Sequence, residues 1–280
     1  MHVSHSVRRS VLVLCLLIAA VPVLAQTTQD TKQPPFQPQV GQGGKDVVWV
    51  PTPQALVDRM LDMAKVTPQD FLMDLGSGDG RTVITAARHG ARALGIEYNS
   101  DMVELSKQNA AKAGVSDRAE FMKADLFETD LSKATVITLF LLPEINLKLR
   151  PKILDLKPGT RIVSNTFTME DWNADETATV GEGCTSWCTA LLWIVPAKAS
   201  GVWTWKDGDL TLTQEFQMVS GTLRSGAAST PIVNGRLRGD RISFTAGATT
   251  YTGTVNGTTI DGTATTGSAS VTWTATKAAK

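Results

Sequence analysis

The sequence predicts an α/β domain built on a parallel sheet, followed by a small all-β barrel or sandwich domain. Short apolar runs alternate with helical-period segments from Val47 to about Ala199, the pattern of a parallel sheet covered on both faces. Two further strand candidates close that region as a hairpin. From about Gly201 the composition switches to Thr alternating with apolar residues between Gly, Asn-Gly and Asp-Gly turns, the mark of short antiparallel strands. The chain then divides into residues 1–25, 26–46, 47–199 and 200–280.

The first of these reads as an export signal. Arg8 and Arg9 form its positive region, Val11 to Leu24 its apolar one, and Val23-Leu24-Ala25 a cleavage site before Gln26. The apolar run has roughly 14 residues against about 20 for a spanning helix. No membrane span is therefore expected after cleavage. The expected destination is the periplasm or cell envelope, with an anchor or a cytoplasmic protein as the outcome if the signal goes unused. Residues 26–46 are rich in Gln, Pro, Gly and Thr, too poor in apolar surface to offset ordering, and are expected to be a disordered leader.

Thr52-Pro53 then gives an N-cap and a proline at the first helical position, and Leu56, Val57, Met60, Leu61 and Ala64 share one helical face. Strands are expected at Phe71–Leu75, Ala93–Ile96, Ala119–Met122, Val136–Leu141 and Arg161–Ser164. Helices are expected at Thr82–His89, at Asp101–Ala113 with Asp101 and Glu104 at capping-box spacing, and at Ile145–Leu154. Thr177–Val180 and Leu191–Val195 form the hairpin. Its loop carries Cys184 and Cys188, which could pair in an oxidising compartment or stand as two free thiols; the spacing decides neither. About eight strands fit the final segment, and no cluster in it suggests chemistry.

Lys and Arg number 27 against 27 Asp and Glu, a balance that argues against a nucleic-acid partner. Beyond the signal one histidine remains, His89, so a His-rich zinc site or a Ser-His-Asp triad would rest on it alone, and no metal is expected.

The chemistry concentrates in "MDLGSGDGRTV", residues 73–83. Arg81 stands where the dinucleotide fingerprint needs a third glycine, and no Walker Gly-Lys-Ser/Thr follows. What remains is Asp74 with glycines at 76, 78 and 80, a bend that lets a ligand approach backbone closely. Glu97 ends the next strand and Asp125 follows the third. A carboxylate at Glu97 can accept from both hydroxyls of a ribose, and all three acids fall at the carboxyl edge where open α/β sheets bind ligands.

These residues resemble those of class I S-adenosylmethionine-dependent methyltransferases over about Val47–Ala199. The resemblance implies a Rossmann-like seven-stranded sheet with a C-terminal hairpin and S-adenosylmethionine as cofactor. It places Asp74 and Gly76 near the methionine part, Gly78 and Gly80 under the adenosine, Glu97 on the ribose and Asp125 near the adenine amine, with Ser77 of the same bend also expected among the cofactor-binding residues. A finer likeness lies in "VVWVPTP", "DLGSGDGRTVITAA" and "ADLFE", which are similar to mitochondrial-type protein-lysine methyltransferases of the ATP synthase c-ring protein and adenine nucleotide translocase, and to bacterial relatives. An N-methyltransferase acting on a protein lysine is the implied function. Methylation of a small molecule, or a non-catalytic envelope-binding protein that retains the fold, are the alternatives.

Related amino-methylating enzymes place a proline-containing turn after the fourth strand to aim a carbonyl at the acceptor nitrogen. Leu142, Pro143 and Glu144 occupy that place, and Glu144 could draw off a proton; equally, Pro143-Glu144 could simply start the next helix. Trp49 with Pro51 and Thr52 could close over the cofactor, wall the acceptor channel or simply pack a strand-to-helix corner, and Asn165 and Trp172 after the fifth strand could line the acceptor side.

Overall fold

The computed structural model describes residues 1–3, 36–206 and 208–278. The segment read as an export signal, apart from residues 1–3, and the first part of the expected leader lie outside these residues. Helix α1 (Gln54–Met63) precedes β1 (Phe71–Leu75), α2 (Arg81–Arg88), β2 (Arg92–Glu97), α3 (Ser100–Ala113), β3 (Ala119–Lys123), β4 (Val136–Leu139), α4 (Pro143–Leu154), β5 (Arg161–Asn165), β6 (Glu176–Thr179) and β7 (Thr189–Ile194). These strands form one seven-stranded sheet in the order β3-β2-β1-β4-β5-β7-β6. Strands β1 to β5 run parallel, and β7 returns antiparallel to both β5 and β6.

Alternation along the strands loads both faces. Leu72 of β1 sits in register with Ala93 of β2 and Val136 of β4, and all three are buried with Leu56, Val57, Val83 and Val103 from α1, α2 and α3. Met73 and Leu75 point to the opposite face and are buried with Ile145, Leu149 and Ile153 of α4. Two buried faces explain why the parallel strands read as unbroken apolar runs.

Two helix caps differ from expectation. Thr52 does not cap α1; Pro53 holds the N-cap position without a side-chain bond, and the Thr52 hydroxyl instead accepts from Asn165 Nδ2 at 3.3 Å. Helix α3 begins before Asp101, so Asn99 is its cap, with Oδ1 accepting from the backbone N–H of Asp101 at 2.8 Å.

The second domain is a closed barrel of eight strands: β8 (Gly201–Trp205), β9 (Gly208–Glu215), β10 (Met218–Ser225), β11 (Ala228–Arg238), β12 (Arg241–Ala246), β13 (Thr249–Asn256), β14 (Thr259–Thr266) and β15 (Ala269–Lys277). Each pairs antiparallel with the next, and β15 returns to β8. Its interior holds Trp203, Leu210, Phe244, Tyr251, Ile260 and Trp273. The barrel seats on the first domain through Phe216, which stacks on Trp172 with centroids 5.9 Å apart, and through Gln217, whose Nε2 donates to the Asn173 carbonyl at 2.8 Å. Arg236 Nη2 donates to the fully buried Asp175 carboxylate at 2.6 Å. Among the described residues no helix is long and apolar enough to cross a membrane.

Candidate active site

The bend between β1 and α2 needs its glycines. Gly76, Gly78 and Gly80 have φ of +81°, +53° and +83°, a region closed to most side-chain-bearing residues. Gly76 and Ser77 both donate their N–H to the Ile96 carbonyl, at 2.9 and 3.0 Å, which holds the bend against β2. Gly78 donates its N–H to Glu97 Oε2 at 3.0 Å, and Asn99 donates its N–H to Glu97 Oε1 at 2.9 Å. Each carboxylate oxygen thus keeps a lone pair for one further donor. Glu97 is a fixed double acceptor facing the cleft.

The cleft at the carboxyl edge is lined by Asp74, Gly76, Ser77, Gly78, Glu97 and Asp125, six of the seven residues expected to meet the cofactor. Gly80 is the exception. A Cβ there would fall 2.7 Å from Phe121 and 2.9 Å from Ser106, so its bareness serves the packing of α2 against α3 and β3. Asp74 accepts from the Thr138 hydroxyl at 2.6 Å. Its burial pushes the carboxyl up to about 7, opposed by the Thr138 bond and reinforced by the nearby Asp79 and Glu97.

On the acceptor side the expectations divide. Trp49, Pro51 and Thr52 line the cleft. Asn165 is fully buried and stands behind Thr52, to which it donates. Trp172 is fully buried between Phe216 and Trp193, and its carbonyl accepts from Trp193 Nε1 at 2.6 Å; it holds the two domains together rather than walling a channel. Pro143 and Glu144 open the first turn of α4, with Glu144 turned to solvent, and neither lines the cleft. Helix initiation accounts for both.

Several cleft residues escaped the sequence reading. Residues 41–49 are not a disordered leader but a small hairpin: Gly41 donates to the Trp49 carbonyl at 2.8 Å and Trp49 to that of Gln42 at 2.9 Å. The hairpin lays Lys45 Nζ 2.6 Å from Asp125 Oδ2, and that ammonium holds the Asp125 carboxyl below its ordinary range. Arg81 pairs with Asp79 at 2.6 Å and donates to the Thr52 carbonyl at 2.9 Å, which pins the segment after the hairpin to the glycine bend. The Asp-x-Arg spacing at 79–81 was the one available signal for that clamp. Phe140, Phe167 and Trp187 also line the cleft, each from a different loop. Cys184 and Cys188 are joined in a disulfide.

The donor set suits an adenosyl sulfonium. Glu97 offers two adjacent acceptors, the bend presents backbone without Cβ atoms at Gly76 and Gly78, and the carboxylates Asp46, Asp74, Asp79, Glu97 and Asp125 face the cations Lys45 and Arg81. The Ser77 hydroxyl, buried without a partner, lies in the same bend.

Known proteins agree with this geometry. The family model of the ANTKMT methyltransferase domain matches residues 74–176. A protein-lysine N-methyltransferase of Saccharolobus islandicus is 46% identical over 140 residues, 49% of this chain and 87% of that one. The mouse adenine nucleotide translocase lysine N-methyltransferase is 33% identical over 147 residues, 52% of this chain and 61% of that protein, so the likeness spans less than two thirds of the mouse enzyme. A crystal structure described as an RNA methyltransferase from Salinibacter ruber in complex with S-adenosyl-L-homocysteine is 50% identical with a TM-score of 0.50, covering 54% of this chain and 96% of that one. A bend that frees its backbone, an acid poised for two hydroxyls and these likenesses converge: the chain belongs to the ANTKMT-type family of S-adenosylmethionine-dependent methyltransferases.

Proposed function

We propose that the protein is an exported protein-lysine N-methyltransferase. The observation that carries the acceptor assignment is the charge of the cleft, in which the five carboxylates Asp46, Asp74, Asp79, Glu97 and Asp125 stand against the two cations Lys45 and Arg81. Such a cleft attracts a cationic side chain and repels a phosphodiester chain. Relatives named as lysine methyltransferases support the same reading. Export is supported by the signal-like N-terminus and by the Cys184–Cys188 disulfide, a bond that persists in oxidising compartments.

When bound, S-adenosylmethionine supplies a methyl group on a positively charged sulfur. Glu97 would hold the ribose hydroxyls, Gly76 and Gly78 would admit the ligand against backbone, and Asp125 would meet the adenine amine once Lys45 yields or shifts. Localisation of the nucleophile opposite the sulfur lowers the barrier by several kcal/mol in such displacements. A lysine amine must also be neutral, which at pH 7 costs about 4.6 kcal/mol from an ordinary pKa near 10.4. The apolar wall of Phe140, Leu141 and Leu142 lowers that cost by disfavouring the ammonium.

Purified protein incubated with labelled S-adenosylmethionine is expected to label lysine in envelope proteins and lysine-containing peptides, read by mass spectrometry of the digested acceptor. Label found only in RNA or only in small molecules overturns the lysine assignment.

Asp74 adds a pH dependence. Its folded carboxyl keeps a proton up to about 7, above the unfolded value, so its ionisation costs stability as pH rises through that window. A cation in the cleft favours the ionised form. Donor affinity is therefore expected to rise by about tenfold between about pH 6 and about pH 8. Calorimetry across that range checks this, and Asp74→Asn, which keeps an acceptor for Thr138, should flatten the profile.

A further inference from the structure

Three aromatic side chains that no cofactor role uses meet at the acceptor side of the cleft. Phe140 follows β4, Phe167 follows β5, and Trp187 stands in the β6–β7 loop. The rings of Phe140 and Phe167 stack with centroids 5.9 Å apart, and Trp187 approaches Phe140 edge-on at 6.0 Å. Trp187 nonetheless remains 45% exposed and the adjacent Leu142 42% exposed. Two large apolar side chains are thus left against water at the cleft's rim, where an incoming apolar stem would cover them.

Trp187 also sits in an unusual backbone state, with φ of +53°. For a bulky residue that conformation costs about 1 to 3 kcal/mol and persists only where surrounding structure enforces it. The enforcement is visible. Trp187 lies inside the short ring closed by the Cys184–Cys188 disulfide, and the Cys188 carbonyl accepts from the Val180 N–H at 2.9 Å, tying that ring to the end of β6. The disulfide therefore holds an indole over the cleft at the chain's own expense.

Building on the lysine-methylation reading, we propose that Trp187, braced by the Cys184–Cys188 disulfide, forms with Phe140 and Phe167 the slot that selects the acceptor. The chemistry fits a primary amine at the tip of a long methylene stem, carried on an exposed and flexible polypeptide segment. Aromatic faces cover the methylene stem and strip water from the amine at its tip, which favours its neutral form. Short or anionic acceptors gain none of these contacts.

The test uses the full chain and a lysine-containing peptide that the wild-type protein methylates. Trp187→Ala is expected to raise KM for the peptide by about tenfold, with kcat and the affinity for S-adenosylmethionine within about twofold of wild type. Trp187→Phe should recover most of the loss, since an aromatic face remains. The Cys184→Ser/Cys188→Ser double variant should raise KM in the same direction, and adding Trp187→Ala to it should cost little more, because brace and ring act as one unit. An unchanged KM in Trp187→Ala, or a parallel loss of donor affinity, overturns the slot. Absence of lysine methylation by the wild-type protein overturns the proposed function itself, a result distinguishable from a slot that fails while methylation persists.

Discussion

Gly78→Arg is expected to leave a folded protein that binds no measurable S-adenosylmethionine. Three constraints meet at this residue. Its φ of +53° disfavours any L side chain, by about 1 to 2 kcal/mol. A Cβ would fall 2.5 Å from Trp49 Nε1 and 3.0 Å from its Cδ1, so the Trp49 indole that lines the cleft would be displaced. The residue's N–H, bonded to Glu97 at 3.0 Å, fixes the acceptor meant for the ribose. An arginine there adds a guanidinium that competes for the same carboxylate. The first penalty lowers the thermal midpoint modestly; the other two act on the ligand, and an affinity loss exceeding about a hundredfold is expected. Titration calorimetry, with circular dichroism to establish folding, measures both. A Kd near the wild-type value would mean that the bend does not carry the donor.

The largest expected stability effect lies elsewhere. Arg236→Ala should lower the unfolding free energy by about 2 to 4 kcal/mol, because it strands a carboxylate that has no exposed surface. Asp175 Oδ2 retains a bond from the Ile194 N–H at 2.8 Å, yet its charge loses the partner that balances it. The partial exposure of Arg236 (42% of its side chain) keeps the figure toward the lower end of buried pairs. Arg238, two residues along the same strand, provides the comparison. It pairs with Glu176 across a surface where both side chains are nearly half exposed, and Arg238→Ala should cost less than about 1 kcal/mol. Chemical denaturation of the two variants tests the contrast, and equal losses would refute it.

What the sequence made legible follows from how local each signal is. The parallel strands could be read because burial on both faces leaves uninterrupted apolar runs, as in Phe71–Leu75 and Val136–Leu139. Glu97 and Asp125 could be placed on the rim because strand ends follow from those runs. Closure of the barrel could not be read, since β8 and β15 pair across the whole domain and no turn residue records it. The 41–49 hairpin was hidden by a composition that resembles a linker. Its order comes from the cleft it covers, through Lys45 on Asp125 and Trp49 beside Gly78. Trp172 and Glu144 each follow a strand whose end borders the cleft, but the first turns into the domain junction and the second, as the helix-start reading allowed, into solvent. Phe140, Phe167 and Trp187 share no sequence neighbourhood, so only the fold assembles them.

The barrel's one non-hairpin seam has a kinetic corollary. Seven of its strand pairings join neighbours in the chain and zip early, whereas the eighth joins Trp203–Trp205 to Ala275–Lys277 and must wait for loop closure over the entire meander. Until that seam seals, β8 and β15 are open edges beside indoles destined for the interior. A chain clipped within its final strand would keep those edges for good, and its fate would be to pair with its own copies.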